Sequence, residues 1–318
     1  MKREKSWYEK TKIANARDFF SAKVERKSWG SLKRIAIVHI DGTITGGKNS
    51  GGGLFSSQST GSETISNVLE RLREDDAVAG VIIRVDSPGG SGLASDIIWN
   101  GIRRLRAKNK KVYISFADVA ASGGYYVACG GEKIFSNEGT LTGSIGVFGG
   151  KFTLKGLYEK IGINKTIIRQ SPNAAIFTEA EKFSDDERKL MTAHLEEFYQ
   201  IFLTRVGEAR EMKKETVHES ARGRVWTGKQ AHERKLVDHM GGLLVALEMM
   251  KTALKDREYE ITQYPADQGL FSMANTEAVM KVLGLEGLVS RAAKNAMQNQ
   301  KFRDSEVLMM MPAQIEVK

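Results

Sequence analysis

Three short clusters of glycine and small hydroxyl residues are the features of this sequence that could do chemistry. They are Asp86–Gly90, Ala120–Tyr126 and Leu141–Val147, each at the end of a predicted strand. The first reads Asp-Ser-Pro-Gly-Gly and leads into a helical pattern. A strand–Gly–Gly–helix turn leaves backbone N–H groups unpaired at a helix N-terminus, where they suit an anion. In acyl transfer that anion is the tetrahedral oxyanion, and one such donor lowers the barrier by about 3 kcal/mol.

The second cluster presents one hydroxyl, that of Ser122, between small residues that let a peptide backbone approach it closely. The N–H group of Gly123 is placed to join an oxyanion hole, as in the strand–nucleophile–helix turn of hydrolases. The third cluster adds a second hydroxyl, that of Ser144, 22 residues downstream. Taken singly, each cluster is also typical of a structural turn or a cap. Only their order and spacing together indicate a catalytic site.

Apolar runs separated by helical periodicity predict the elements that would position these clusters, because that rhythm is typical of βαβ units and a parallel sheet. The predicted strands are Ile35–Ile40, Val78–Val85, Val112–Phe116 and Lys133–Phe135, and the helices between them are Ser62–Glu74 and Ser91–Lys108. In the second of these helices, Leu93 and Ile97 are predicted to face the core together with the apolar residues that follow.

The second half of the chain is predicted to be mainly helical. A long helix is expected over Ser184–Arg210, because Ser184 followed three residues later by Glu187 is a capping box. Shorter elements follow: helices at Lys214–Ser220, Lys229–Arg234 and Leu243–Lys255, a strand at Glu258–Tyr264 and an apolar, strand-like tail at Val307–Met311.

Composition places the chain among soluble globular proteins. It has 318 residues, of which 41% are hydrophobic and 27% charged, and this length fits one or two domains. The single cysteine, Cys129, excludes an internal disulfide and a cysteine-based zinc site, and a core position is expected for it. The net charge of +9 is spread along the chain without a recognised nucleic-acid module, so no nucleic-acid partner is expected. Neither a membrane-spanning run nor a secretory signal is expected in this sequence.

With these residues in view, the chain resembles the signal peptide peptidase A family, which are membrane-associated serine proteases. The resemblance runs from about Arg34 to Leu247, and it is carried by Ser87–Gly90, Ala120–Tyr125, Leu141–Gly146, Arg224–Ala231 and Leu236–Asp238. It implies an α/β fold of the ClpP/crotonase type, a spiral of repeated ββα units with helical arms for oligomerisation. It also implies a place at the membrane of the bacterial cell envelope, and peptide substrates such as signal peptides.

The resemblance also implies roles for individual residues. Ser122 would be the nucleophile, the N–H groups of Gly90 and Gly123 would form the oxyanion hole, and Ser144 would orient the general base. The substrate would lie as a strand along the glycine clusters, paired through its backbone. The residues expected to bind it are Ser87, Pro88, Gly89, Gly124, Tyr125 and Gly143. No metal, nucleotide or other cofactor is implied.

The general base of the family is a lysine whose amine loses its proton because burial lowers its pKa. In this sequence the corresponding loop, Ile168–Phe177, contains no lysine, and the family position falls at about Ala174. Long members of the family carry two tandem copies of the domain, with the lysine in the first and the serine in the second. The present chain resembles the second copy, so a lysine supplied by another domain or subunit is expected.

Four alternatives stay open at this stage. Lys151 or Lys182 could swing into the site and serve as the base. The chain could bind peptides without cutting them, as a scaffold subunit. A crotonase-like acyl-CoA enzyme would use the same paired N–H groups. A histidine-based triad or metal catalysis has less support, because none of the five histidines lies in a glycine cluster or at ligand spacing on a helix.

The predicted organisation has three parts. Residues 1–30 are basic and amphipathic, and they would form a connector or arm that lies on a partner subunit, another domain or a membrane surface. Residues 31–265 would be the protease domain, and 266–318 a helical extension. Rings of several copies, or pairing with a lysine-bearing homologous domain, are expected from the resemblance.

Overall fold

The computed structural model describes residues 32–50, 58–255 and 258–265, together with the backbone of 308–310. The amphipathic arm predicted at 1–30 and nearly all of the helical extension at 266–318 lie outside the described residues. The predicted domain boundaries and arms therefore stay predictions.

Strands and helices alternate along the described chain. The strands are β1 (Arg34–Asp41), β2 (Thr43–Thr45), β3 (Ser59–Gly61), β4 (Val78–Ser87), β5 (Gly89–Ser91), β6 (Lys111–Ala121), β7 (Lys133–Ser136), β8 (Leu141–Gly143), β9 (Val225–Thr227), β10 (His239–Met240), β11 (Glu260–Tyr264) and β12 (Leu308–Met310). The helices are α1 (Ser62–Glu74), α2 (Gly92–Ala107), α3 (Gly123–Ala128), α4 (Lys155–Lys160), α5 (Asp185–Arg210), α6 (Lys214–Ser220), α7 (Gly228–Glu233) and α8 (Leu243–Leu254).

The main sheet runs in the order β10-β7-β6-β4-β1-β11, and all of these neighbours are parallel. The short strand β8 pairs with the end of β6 and continues, antiparallel, to β9. A second, smaller sheet has the order β12-β5-β2-β3. In two successive units a long strand of the main sheet is followed by a short strand that leaves it, β2 after β1 and β5 after β4. In the second unit α2 follows β5 directly, as the predicted ββα repeat requires, whereas in the first unit a further short strand, β3, precedes α1.

The core lies on both faces of the main sheet. One face packs against α1, α2, α3 and α5, and the other packs against α8 through Ala246 and Met250. Because both faces are covered, the central strands read as continuous apolar runs, as parallel sheets do. Val81–Ile83 and Val112–Phe116 are accordingly buried throughout.

The structure corrects one part of the helix reading. Leu93 and Ile97 of α2 are 60% and 41% exposed, whereas Ala94 and Ile98, one position further along, are buried. One residue is 100° of helical turn, so a broad apolar stripe can be placed wrongly by that angle. In α5, Leu190 and Ile201 were predicted to lie on the apolar stripe, but both are exposed. The start of α5 is as predicted, with the capping box between Ser184 and Glu187.

The single cysteine lies in the core, as expected from the sequence. Cys129 is buried in the core, where desolvation raises the pKa of its thiol to about 12.

Within the part of the chain that the structure describes, no helix is long and apolar enough to cross a bilayer.

Candidate active site

The sheet topology brings the three glycine–hydroxyl clusters to one edge. The first follows β4, the second follows β6 and the third includes β8, and these strands are parallel neighbours. In register, Ser87 pairs with Ala120, which in turn pairs with Thr142. The clusters therefore meet because the carboxyl ends of adjacent parallel strands lie at the same edge of a sheet.

Ser122 lies in a strained turn between β6 and α3. Its φ is +51° and its ψ is −114°, a conformation that residues with a side chain rarely adopt. Such a conformation costs on the order of 1–3 kcal/mol and persists only where the surroundings enforce it. Here the Ser122 N–H donates to the Gly143 carbonyl at 2.9 Å, and the Tyr126 N–H donates to the Ser122 carbonyl at 2.8 Å. The turn has the strand–serine–helix form of a nucleophile elbow.

The Ser122 hydroxyl is fully buried in this structure. Its oxygen lies 3.5 Å from the Gly146 carbonyl oxygen, which is at the long limit of a hydrogen bond. Gly123, as the first residue of α3, presents an N–H group that has no acceptor within the helix.

Glycine is required at two positions because backbones approach each other there. A Cβ added at Gly90 would lie 2.0 Å from the Ile44 carbonyl oxygen of β2. A Cβ added at Gly124 would lie 2.9 Å from the Ser87 carbonyl oxygen. The first contact presses β5 against β2, and the second presses α3 against the end of β4. Gly90 and the helix that begins after Ser122 are thus held close to one another.

The remaining residues of the first cluster form the turn itself. Ser87 is fully buried, and its hydroxyl accepts the Gly89 N–H at 3.1 Å. Pro88 is half-buried between β4 and β5. Ser91 caps α2 by accepting the Ala94 N–H at 3.3 Å. The cluster therefore forms a turn after β4, and the short strand β5 continues from it along the edge where Ser122 lies.

Ser144 follows β8 and also has a positive φ, +49°. Its N–H donates to the Arg224 carbonyl at 2.7 Å, and β8 pairs with β9 just beyond Arg224. The signature at Arg224–Ala231 therefore holds the third cluster in place. Ser144 lies in the wall of an open cavity of about 430 Å³, together with the apolar residues Val147, Phe148 and Leu195 and the polar residues Glu196, Tyr199, His218 and Arg222.

Sequence reasoning missed the polar pair in this cavity. The Tyr199 hydroxyl and the His218 Nδ1 atom are 2.8 Å apart, and the same hydroxyl accepts the Arg222 N–H at 3.3 Å. Burial, the largest contribution, raises the pKa of Tyr199. The two side chains come from α5 and α6, which are separate in sequence, so no local motif pointed to them.

The loop that carries the family's lysine is present without one. Ala174, at the expected position, is exposed. Lys182 is exposed as well. The Lys151 amine is buried and lies 4.5 Å from the centre of the Phe183 ring, with no hydrogen-bond partner among the described residues. No contact within the described chain joins either amine to Ser122 or Ser144, so an in-chain base stays an untested alternative.

Two residues from the predicted signatures, Tyr125 and Asp238, make hydrogen bonds that stabilise the fold around the site. Tyr125, expected to bind substrate, is fully buried, and its hydroxyl donates to the Leu236 carbonyl at 2.8 Å. Asp238, in the Leu236–Asp238 signature, receives two hydrogen bonds from Arg210, at 2.7 and 2.8 Å. Burial acts to raise the pKa of Asp238, but the Arg210 guanidinium outweighs it and the pKa is lowered. Both residues tie α3 and α5 to the core.

Two histidines of the described chain make local contacts with neighbouring side chains. His39 contacts Gln263, and His239 stacks on Phe135 with its pKa lowered, first by burial and then by Lys133. Among the described residues, no three His, Cys, Asp or Glu side chains are grouped so that they could hold a metal ion.

The tail strand β12 reaches the site. It pairs antiparallel with β5 in the register Leu308 with Ser91, Met309 with Gly90 and Met310 with Gly89, and it lies against α3. The apolar tail predicted as strand-like is therefore a strand, paired with the glycines of the first cluster.

These features define a class, that of α/β proteins with a strained serine and glycine-rich turns at the carboxyl edge of a parallel sheet. Comparison with known proteins narrows the class. The sequence model of peptidase family S49 matches residues 104–257. The chain is 40% identical over 225 residues to the chloroplastic serine protease SPPA of Arabidopsis thaliana, covering 70% of this chain and 32% of that one. It is 33% identical over 239 residues to a putative signal peptide peptidase SppA of Enterococcus faecium, covering 74% and 68%.

The chain belongs to this family, peptidase family S49 of the signal peptide peptidase A type. It spans about a third of the Arabidopsis relative and about two thirds of the Enterococcus one. Among solved structures, it is similar to a ClpP1 variant from Listeria monocytogenes, with 15% identity, coverage of 66% and 94% and a TM-score of 0.43. The parallel sheet and its two units of strand, strand and helix confirm the α/β class predicted from the sequence.

Proposed function

We propose that this chain is the nucleophile-bearing part of a serine peptidase that cleaves extended, apolar peptides such as signal peptides. The observation that carries the proposal is the strained turn of Ser122, which lies between a strand and a helix and next to a glycine-rich strand. Strain of this kind is retained where a side chain must be presented in one orientation.

In the proposed reaction, the Ser122 oxygen attacks the carbonyl carbon of the scissile peptide bond while a neutral amine takes the hydroxyl proton. The N–H groups of Gly90 and Gly123 stabilise the oxyanion that forms. The amine then gives its proton to the leaving nitrogen, and an acyl-enzyme remains on Ser122. Water, activated by the same amine, hydrolyses the ester and restores the serine.

The amine is proposed to come from a lysine of another domain or subunit, because Ala174 stands at the expected position in this chain. Ser144 would orient it. The cavity beside Ser144 is open and contains the carboxylate of Glu196 and the ring of His218. It gives an incoming side chain a route to the third cluster.

Substrate binding is proposed to occur by strand addition to β5. The pairing of β12 with this strand supports the idea, because it shows an extended segment on the same edge. Hydrogen bonds between the two backbones provide affinity that does not depend on the peptide's sequence. Pockets for alternate side chains provide selectivity.

The proposal is tested by covalent labelling. The purified chain is treated with a fluorophosphonate probe, alone and mixed with a homologous domain that carries the lysine. We expect labelling of Ser122 only in the mixture, and its complete loss in Ser122→Ala. Ser66→Ala is the matched control, because Ser66 lies on α1, outside the three glycine–hydroxyl clusters, and its hydroxyl has no partner within the described chain.

One observation favours a second candidate, a subunit that binds peptides without cutting them. Ser122 is fully buried, and the loop that carries the family's lysine has Ala174 at the expected position. If the mixture stays unlabelled while an apolar peptide binds to it, the peptide-binding subunit is the correct function and the peptidase proposal is wrong.

Assembly and membrane association are parts of the same proposal. A half-site enzyme needs contact with a lysine-bearing copy, and the net charge of +9 suits an anionic membrane surface. Sedimentation of the chain as a stable monomer, with and without the lysine-bearing domain, would contradict the assembly.

A further inference from the structure

Strand β6 contains an irregularity shortly before the turn of Ser122. In the pairing of β4 with β6, Val85 lies opposite Phe116 and Ser87 lies opposite Ala120. β4 therefore advances by two residues where β6 advances by four, so β6 contains two extra residues. An insertion of this kind is a β-bulge, which bends its strand and changes the direction of the side chains that follow.

Side chains from neighbouring segments bond to the backbone of this bulge. A bulge disrupts the regular ladder of hydrogen bonds, and buried backbone groups must then find other partners. The Arg84 guanidinium of β4 donates to the Phe116 carbonyl at 2.5 Å. The Thr140 hydroxyl, just before β8, donates to the Ala117 carbonyl at 2.7 Å. The backbone that leads to the nucleophile is thus held by both neighbouring strands.

Asp86 provides the last of these bonds before the nucleophile. It is the residue of β4 that lies opposite the bulge, and a carboxylate oxygen accepts the Val119 N–H at 3.1 Å. Val119 is three residues before Ser122, whose own N–H donates to the Gly143 carbonyl. The position of the strained turn is therefore fixed from both sides of β6, by the first cluster through Asp86 and by the third through Gly143.

The charge of Asp86 is one of three that act on the same guanidinium. Arg84 is half-buried, and burial lowers its pKa. The opposing charges are those of Asp86, Asp118 and Asp41. A neutral residue at position 86 would leave two carboxylates to act on Arg84. The hydrogen bond from Val119, by contrast, needs only an acceptor oxygen.

We propose that Asp86 is a positioning residue for Ser122, and that it acts by accepting the Val119 N–H and so fixes the bulge that directs the nucleophile turn. The effect on catalysis rests on the proposed function, whereas the hydrogen bond itself does not. The proposal requires an acceptor oxygen at position 86 and no negative charge.

The test compares two variants of the full chain, Asp86→Asn and Asp86→Ala. The first keeps an acceptor oxygen without the charge, and the second has no acceptor. Asp75→Ala is the matched control, because Asp75 also accepts a backbone N–H, that of Ala77 at 2.9 Å, but lies before the opposite end of β4. Each protein is mixed with the lysine-bearing domain, and the rate of Ser122 labelling is measured against fluorophosphonate concentration, with urea unfolding in parallel.

We expect Asp86→Ala to lower the maximal labelling rate by about 10- to 100-fold, because a misplacement of about 1 Å costs up to about 100-fold in rate. The probe concentration at half-maximal rate should not change. Asp86→Asn and Asp75→Ala should both stay within about threefold of the natural rate, the second even though it is less stable. A natural rate in Asp86→Ala, or an equal loss in Asp86→Asn and Asp86→Ala, would overturn the proposal.

Amide hydrogen exchange provides a measurement that needs neither the lysine nor the probe. The Val119 N–H should exchange slowly in the natural chain and in Asp86→Asn, and about tenfold faster in Asp86→Ala. Fast exchange of Val119 in the natural chain would overturn the proposal, whether or not the alanine variant folds.

The two measurements together separate this inference from the peptidase proposal. The expected exchange rates without labelling of Ser122 in any mixture would support the anchoring of the bulge by Asp86 and refute the peptidase. Labelling of the natural chain with an equal rate in Asp86→Ala would support the peptidase and refute the positioning role of Asp86.

Discussion

Replacing Gly90 with alanine tests the proposed oxyanion hole directly. In the structure, the added Cβ would lie 2.0 Å from the carbonyl oxygen of Ile44, and real Cβ atoms essentially never approach a heavy atom closer than 3.0 Å. The clash is with backbone on both sides, so no side chain can rotate to relieve it. The β5 backbone must therefore move by about 1 Å relative to β2, a distance obtained by subtracting these two contacts.

That displacement sets the size of the effect. Misplacing a positioned catalytic group by 1 Å costs on the order of 100-fold in rate, and losing one oxyanion donor costs about 100- to 1000-fold. We therefore expect Gly90→Ala to slow the modification of Ser122 by about 100- to 1000-fold. The overlap should also lower the free energy of unfolding by about 1–3 kcal/mol, the usual penalty for overpacking.

The assay is the rate of fluorophosphonate labelling in the presence of the lysine-bearing domain, with urea unfolding measured in parallel. Gly139→Ala is the matched control, because the added methyl group there meets no heavy atom within 4 Å. The control should keep the natural rate. A folded Gly90→Ala chain that is labelled within about threefold of the natural rate would refute the role of Gly90, whatever its stability.

Two further predictions concern the supports of the site. Arg210→Met should lower the free energy of unfolding by about 3 kcal/mol at pH 7, because it leaves the carboxylate of Asp238 without its partner. The folded-state pKa of Asp238 is lowered, so its contribution to stability is complete above about pH 4 and is lost as the pH falls through the folded pKa. In urea titrations, the difference in free energy of unfolding between the variant and the natural chain should therefore become smaller toward about pH 2. A difference that stays constant with pH would contradict this. Tyr126→Phe removes the hydrogen bond to Asp96, which is 2.5 Å long. The free energy of unfolding, measured by thermal unfolding, should fall by about 1.5–3 kcal/mol. An unchanged melting temperature would show that the bond contributes nothing.

Most of the fold could be predicted from the sequence because its signals are local. The central strands are continuous apolar runs, and α1 and α6 have the bounds that were predicted from the sequence. The three glycine–hydroxyl clusters follow strands that proved to be parallel neighbours. Topology alone then brought Ser122, Ser144 and Gly90 to one edge, as βαβ rhythm implies.

What could not be predicted depends on how separate elements pack together, whether they are near or distant in sequence. The register of β12 on β5 joins residues more than two hundred positions apart. The Tyr199 and His218 pair forms only because α5 and α6 pack together. The prediction that Leu93 and Ile97 face the core was wrong for another reason. An apolar stripe can be wider than the face that a helix buries, and periodicity does not show which side of the stripe stays exposed.

In the proposed half-site mechanism, the nucleophile would have to be held in place before the base arrives. The described chain holds Ser122 with its own bonds, since the Ser122 N–H donates to Gly143 and α3 is joined to α2 by the hydrogen bond from Tyr126 to Asp96. A second support is Arg205 of α5, whose guanidinium lies 3.7 Å from the centre of the Trp99 ring of α2.

Because these supports come from α2, α3 and α5 of one chain, a lysine from elsewhere would supply a proton acceptor and no part of the framework. Addition of the lysine-bearing domain should therefore activate Ser122 without changing amide exchange along α3. If exchange along α3 slowed on mixing, the framework itself would be completed by the partner, and the nucleophile would not be preorganised in this chain.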